Sequence, residues 1–456
     1  VVNVVSPGPN PERPSGADGP ASNVRLLVVL AVTVTSVLLY LDRVCIAEVL
    51  KYDTARRDLH LDDDQIAWSY SAFFIAYALA QVPSGWFADR FGVRSLLTFY
   101  LVSWSLLTAL CGGVASFGML FVLRLGVGLA QSGAYPTSGS LLSQWVPLAR
   151  RGVASSVVAF GGRLGGVIAP KLTTGLIGLL GSWRPVMVLY GGAGGLAAVA
   201  YWFVVRDRPS EHPRCNAAEL ALIAKGRVPR RDHDLASHFS QTLAMLAGLT
   251  KSGGMWLMCL SQFTTNVGWA FLITWLPTYL TKALRVSDEL GATMTSVVLF
   301  TGMAGMLAGG YVTDWATRAL GLRWGRSLPL VVSRFTAAAA FLVVEHVHSP
   351  WAAVAAFAVV AFSTDVGVAG TWAFMQDVGG RYVGAVLGWG NMWGNFGAAV
   401  LPFFPGWFSV SPESTNWNAV FLACAAAFFI SGLASLGIDA TKPVVRELSP
   451  LPSGEG

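Results

Sequence analysis

The chain is poor in charge. Only 12% of its 456 residues are Asp, Glu, Lys or Arg, about half the ~25% of an ordinary soluble domain. A globular surface cannot be covered with polar groups on that supply, which excludes a soluble protein. Lysine is scarcer still, with 6 of the 31 basic residues. The five cysteines, Cys45, Cys111, Cys215, Cys259 and Cys424, stand apart with no CxxC and no metal-ligand spacing, so neither a disulfide framework nor a metal centre is expected. No phosphate-binding Gly-x-x-x-x-Gly-Lys-Ser/Thr run occurs, and no His, Cys or Ser cluster suggests catalysis. No cofactor is expected, and no enzyme. What the chain has instead is 54% hydrophobic residues, 50 glycines, 17 tryptophans and a mean hydropathy of +0.56.

A membrane-spanning helix needs about 20 mostly apolar residues. Twelve stretches qualify: roughly 24–45, 64–84, 95–116, 118–140, 153–180, 184–205, 253–280, 288–312, 328–345, 350–376, 383–408 and 415–437. The expected class is an all-α membrane protein of twelve transmembrane helices. Residues 1–22 read as a disordered cytoplasmic tail, rich in Pro, Gly, Asn and Ser and without the features of a cleaved signal peptide. The first apolar segment is then its own uncleaved signal. A six-helix bundle spans 23–205, a hydrophilic cytoplasmic linker 206–252, a second six-helix bundle 253–438 and a cytoplasmic tail 439–456.

Basic residues orient such a chain, because cytoplasmic loops carry an excess of Lys and Arg. With both termini inside, 20 of them fall in cytoplasmic segments, 6 in external ones and 5 inside the spans. The net charge of +6 therefore mostly reports orientation, and no nucleic-acid partner is expected. The two halves also repeat. Gly85-Trp86-Phe87-Ala88-Asp89 after the second span matches Gly310-Tyr311-Val312-Thr313-Asp314 after the eighth. Gly162-Arg163-Leu164-Gly165 with Pro170 matches Gly394-Asn395-Phe396-Gly397 with Pro402. Such matches indicate two pseudo-symmetric halves.

The loop Gly85-Trp86-Phe87-Ala88-Asp89-Arg90-Phe91-Gly92-Val93-Arg94 resembles the loop 2–3 signature of the major facilitator superfamily. Shorter strings are similar to its anion:cation symporter branch of sugar-acid, hexuronate and sialic-acid carriers. They are Tyr40-Leu41-Asp42-Arg43, Arg124 with Gly128 and Pro136, Trp275-Leu276-Pro277-Thr278-Tyr279, and Gln376-Asp377-Val378-Gly379-Gly380 with Gly388 and Asn391. The resemblance implies that Arg43 and Arg124 contact the substrate or organise its site. It also implies that the loop aspartate Asp89, with Arg90, Arg94 and the repeat-related Asp314, latches the outward-facing state. In one place the chain departs from the branch: a glutamate that resembles a proton carrier seven residues after the helix 4 arginine is here Gln131, which cannot titrate.

Charge at bilayer depth is costly and usually faces a cavity or a partner. Arg43, Arg124 and Arg163 could offer forked guanidinium groups to a carboxylate; alternatively they pair with Asp42 or with backbone carbonyls. Lys171, further out, is free to snorkel. Asp42 and Asp365 are the candidates for proton binding, although Asp365 could equally bond a neighbouring Thr or Asn. Being adjacent, Asp42 and Arg43 point about 100° apart on a helix and cannot pair ideally. Tyr40 and Gln131, with Gln262, Asn266, Asn391 and Asn395 from the second half, complete the expected substrate site. Arginines on one wall and amides on the other suit a sugar acid.

The expected function is a secondary active transporter that imports a small organic anion, a sugar acid or related carboxylate, by proton symport with alternating access. Its partners are that anion, protons and the lipid bilayer of the cell membrane, and it is expected to be monomeric. An anion uniporter or exchanger without proton coupling, and a non-transporting nutrient sensor, are the alternatives.

Overall fold

The computed structural model describes residues 20–50, 53–224, 238–347, 349–400, 409–411 and 414–445. Most of the expected N-terminal tail, part of the linker and the end of the C-terminal tail lie outside them. So does 401–408 of the eleventh expected stretch.

Every one of the twelve apolar stretches is helical over most of its described residues. In chain order they are α1 (Val24–Val49), α3 (Asp63–Phe91), α4 (Val93–Cys111), α5 with α6 (Phe117–Ser132 and Ala134–Trp145), α7 (Arg151–Leu180), α8 (Trp183–Val204) and α11 (Gly253–Thr274) with the short α12 (Leu276–Thr278). Then follow α13 (Asp288–Val344), α14 (Pro350–Val378), α15 (Val383–Val400) and α16 (Trp417–Leu436). Short helices α2 (Asp53–Asp58), α9 (Ala217–Ala224) and α10 (His238–Lys251) lie between them. A two-stranded antiparallel pair, Ser409–Ser411 with Ser414–Thr415, precedes α16.

Among the described residues, eight helices are long and apolar enough to cross a bilayer. A ninth arises if Leu243–Lys251 and Gly253–Ile273, bent by 68°, form one span. That count takes Leu290–Val344 once, although Gly321 at φ 76° breaks α13 in two where the sequence places a loop. It leaves out α3, which begins and ends in charge, and α15.

Local chemistry sets many helix ends. Asp62 and Gln65 form a reciprocal capping box at the start of α3. Ser116, Ser252 and Asn416 accept the third backbone N–H of α5, α11 and α16. Gly92 separates α3 from α4 at φ 89°, a conformation that favours glycine. The linker is more ordered than its polarity suggests. Glu219 at the start of α9 is fully buried and accepts hydrogen bonds from the backbone N–H groups of Val24 and Arg25 and from Arg25 Nη1, each at 2.9 Å. It thereby caps α1, satisfying donors that a helix N-terminus otherwise leaves open.

The core of the second half is aromatic, with Phe271, Phe341, Phe357, Phe421 and Phe428 packed together. The halves meet along α3 with α15 and α7 with α13, through glycines that admit no side chain. A Cβ on Gly85 would lie 2.1 Å from the Gly384 carbonyl oxygen, and one on Gly388 would lie 2.4 Å from that of Gln81. These approaches crowd the end that carries the Asp89 and Asp314 loops, called the loop end below.

Candidate functional site

At the loop end each half holds a helix start of the other. Asp89 at the end of α3 accepts hydrogen bonds from the backbone N–H of Gly384 at 2.9 Å and of Ala385 at 3.0 Å, the start of α15. Asp314 in α13 accepts them from Gly152 and Val153, both at 2.9 Å, the start of α7. A carboxylate against unsatisfied N–H groups at the positive end of a helix is a favourable arrangement. Ser140 adds a third donor to Asp89. Beside them Asp377 takes Arg151 at 2.6 Å from the first half and Arg326 at 2.8 Å from the second.

Arg90 and Arg94, expected in this latch, do not join it. Arg90 lies over the rings of its helix neighbours Trp86 and Phe91. Arg94 donates to the Trp202 carbonyl and stacks 3.9 Å from that indole, which ties α4 to α8 within the first half. Each guanidinium takes nearby aromatic faces, and Arg326 with Arg151 pairs with Asp377 instead.

Deeper in the molecule, Arg43 on α1 is half-buried in an aromatic box. Its Cζ stands 5.0 Å from the ring centre of Tyr40, 5.1 Å from Phe73 and 4.5 Å from Tyr77. Its Nε donates to Gln131 Oε1 at 3.3 Å, while its Nη2 has no hydrogen-bond partner among the described residues. Gln131 is fully buried and donates in turn to the Leu39 carbonyl. Tyr135 bonds Ser36 and meets the edge of Trp372 from the second half.

Arg124 lies behind this box. It is 3% exposed, donates through Nε to the Ser69 carbonyl and stands 4.7 Å from the Phe73 ring centre. Phe73 is thus shared by two guanidinium groups. Asp42 turns away from Arg43, as their adjacency on the helix requires. It is 2% exposed and lies toward Trp104 and Gly194, and neither carboxylate oxygen has a hydrogen-bond partner among the described residues.

The remaining intramembrane candidates lie across the halves. Arg163 on α7 donates through Nη2 to Asp365 Oδ1 on α14 at 2.9 Å and stacks 4.3 Å above Trp269. In the second half Gln262 and Asn266 of α11 close on Gly394 of α15, next to Asn391 and Asn395. Asn266 and Asn395 each donate one amide hydrogen to the carbonyl four residues back, Gln262 and Asn391. All four amides are half-buried. Lys171 is exposed.

Phe73, Tyr77, Trp269 and Trp372 were not marked by sequence reasoning. Phe73 and Tyr77, four apart on α3, were legible in principle as an aromatic pair on one helix face. Trp269 and Trp372 carry no such signal, because their partners come from the other half.

A family model described as Major Facilitator Superfamily matches residues 32–402. The chain is 28% identical to a probable galactarate/D-glucarate transporter of Bacillus subtilis over 92% of its own length and 93% of the relative's. It is 28% identical to a probable sulfoacetate transporter of Cupriavidus necator, covering 88% and 90%. Among solved structures, a proton:xylose symporter bound to 6-bromo-6-deoxy-D-glucose superposes with a TM-score of 0.61, covering 91% of this chain and 94% of that one at 15% identity. With four-fifths of its length matched by the family model and the same helical fold, the chain belongs to the Major Facilitator Superfamily.

Proposed function

We propose that the chain is a secondary active carrier that imports a small organic anion, a sugar acid or related carboxylate, by proton symport and alternating access. Its helices form twelve spans in two six-helix bundles of a cell-membrane protein, with the loop end and both termini in the cytoplasm. The observation that carries this reading is Arg43. It is a half-buried guanidinium boxed by three rings, with an Nη2 that has no hydrogen-bond partner among the described residues. A carboxylate would take the fork, and hydroxyls along the same molecule would take the amides. The galactarate/D-glucarate and sulfoacetate carriers among its relatives are named for anions of this kind.

The closed loop end supports an outward-facing state, with Asp89 and Asp314 as the cytoplasmic latch. Of the two proton candidates we favour Asp42, whose oxygens have no hydrogen-bond partner among the described residues, over Asp365, which already holds Arg163. Uniport is the second reading, favoured by Gln131: the position that touches Arg43 is an amide and cannot carry a proton.

A thermal-shift screen of the purified protein against sugar acids and the corresponding neutral sugars tests the reading. The acids are expected to raise the melting temperature and the neutral sugars to leave it unchanged. Stabilisation by neutral sugars alone would refute it.

A further inference from the structure

We propose that Arg163 is a second carboxylate-binding site, held by Asp365 in the empty carrier, and that this exchangeable pair selects acids with two carboxylates over those with one. The inference rests on the sugar-acid reading above and deepens it.

The Arg163–Asp365 pair joins the two halves through one hydrogen bond, Nη2 to Oδ1 at 2.9 Å. Its partners are unequally buried: the Arg163 side chain is 22% exposed and that of Asp365 4%. A guanidinium has five donors in a fork that fits both oxygens of a carboxylate, and Asp365 uses one of them. Trp269 holds the flat face of the group, so the fork keeps its place without Asp365. Arg163 is a preformed site occupied by an imperfect internal ligand.

Removing one partner of a buried ion pair is normally costly, because the other charge is stranded. Here it is not stranded. Arg334, fully buried and anchored by Nη1 to the Thr364 carbonyl at 2.9 Å and to Ser333 Oγ at 3.2 Å, lies within electrostatic reach of Asp365. Two glycines make room for this arrangement. A Cβ on Gly302 would come 2.7 Å from Asp365 Oδ2, and one on Gly367 would come 2.7 Å from Arg334 Nη1. Asp365 can therefore release Arg163 and keep a counter-charge.

The helices that carry Arg43 and Arg163 share a tyrosine ring. Tyr40, whose ring lies 5.0 Å from Arg43 Cζ, also packs on α7 at Gly162 and Gly166, the positions one before and three after Arg163. One tyrosine ring thus separates the two arginine-bearing walls. An acid with a single carboxylate engages Arg43 and leaves the internal pair intact. An acid with a carboxylate at each end offers Arg163 two oxygens in place of one.

Binding of galactarate, with two terminal carboxylates, and of galactonate, with one, is measured calorimetrically on purified wild type, Asp365→Asn and Arg163→Lys. Wild type is expected to bind galactarate more tightly. Asp365→Asn removes the internal competitor and is expected to tighten galactarate about tenfold, while Arg163→Lys, which keeps the charge and the pair but loses the fork, weakens it about tenfold. Galactonate changes less than about twofold in either variant. Equal effects on both acids, weaker galactarate binding by Asp365→Asn, or a wild type that prefers galactonate overturns the selector and leaves the sugar-acid reading standing. Binding of neither acid to wild type overturns both.

Discussion

Asp89 and Gly384 are 295 residues apart in sequence, yet the carboxylate of one accepts the backbone N–H of the other at 2.9 Å. Asp314 does the same for Gly152 across 162 residues. The fold thus builds one device twice, each half capping a helix of its partner.

Neutralising the caps should open the gate. Asp89→Asn and Asp314→Asn each keep the shape and lose the charge, and a cap of this kind contributes about 0.5–2 kcal/mol. Each is expected to shift the population toward the inward-facing state by roughly 2- to 30-fold. Spin-label distances across the loop end read this directly, and unchanged distances would show that the caps do not hold the gate.

Glycine at the seam is a steric requirement. Gly85→Ala would place a methyl 2.1 Å from the Gly384 carbonyl oxygen, with backbone on both sides and nothing flexible to yield. The outward-facing state is expected to be lost, with cysteines introduced at the loop end becoming reactive. Wild-type reactivity in Gly85→Ala would contradict the packing described.

Gln131→Glu sets a carboxylate against Arg43 Nε in place of the amide oxygen now 3.3 Å away. When ionised it competes with the substrate for Arg43; when protonated it does not. Substrate affinity is therefore expected to fall at pH 7.5 and recover toward pH 5, a dependence at this site that the wild-type amide cannot produce. An unchanged pH profile would show that the site does not serve the anion.

Glu219 links pH to stability from outside the membrane. Burial pushes its carboxyl up, but donors from Ser22, from the backbone of Arg25 and Val24 and from the Arg25 side chain together hold it below the usual glutamate range. A carboxyl lowered by folding stabilises the fold above its unfolded pKa, about 4.3, and loses that contribution as pH falls through the folded value. Glu219→Gln is expected to lower the melting temperature at pH 7 and to differ less from wild type near pH 3.5. An equal deficit at both pH values would contradict the charge-based cap.

How much of this was legible in sequence depends on whether the determining contact is local. The Asp89 and Asp314 loops were visible because a backbone-level motif, Gly-x-x-x-Asp, occurs twice. The contacts of the arginines beside them were not visible, since Arg94 donates to Trp202, more than a hundred residues away. That Asp42 and Arg43 diverge follows from helix geometry alone, but that Asp42 meets Trp104 follows only when α1 packs on α4. The amide face of Asn391 and Asn395 was readable from its i, i+4 spacing. The pairing of Arg163 with Asp365 was not, because each was weighed against its own half and the contact crosses between them.

The central claim is that Arg43 receives the carboxylate of a sugar acid that the chain carries across a membrane with protons. Its most direct test is uptake of radiolabelled galactarate into proteoliposomes with an imposed inside-alkaline pH gradient. Accumulation above the external concentration, collapsing when a protonophore removes the gradient and absent in Arg43→Ala, is the expected result. Accumulation by Arg43→Ala equal to wild type, or no entry of any sugar acid under any gradient, would contradict the account.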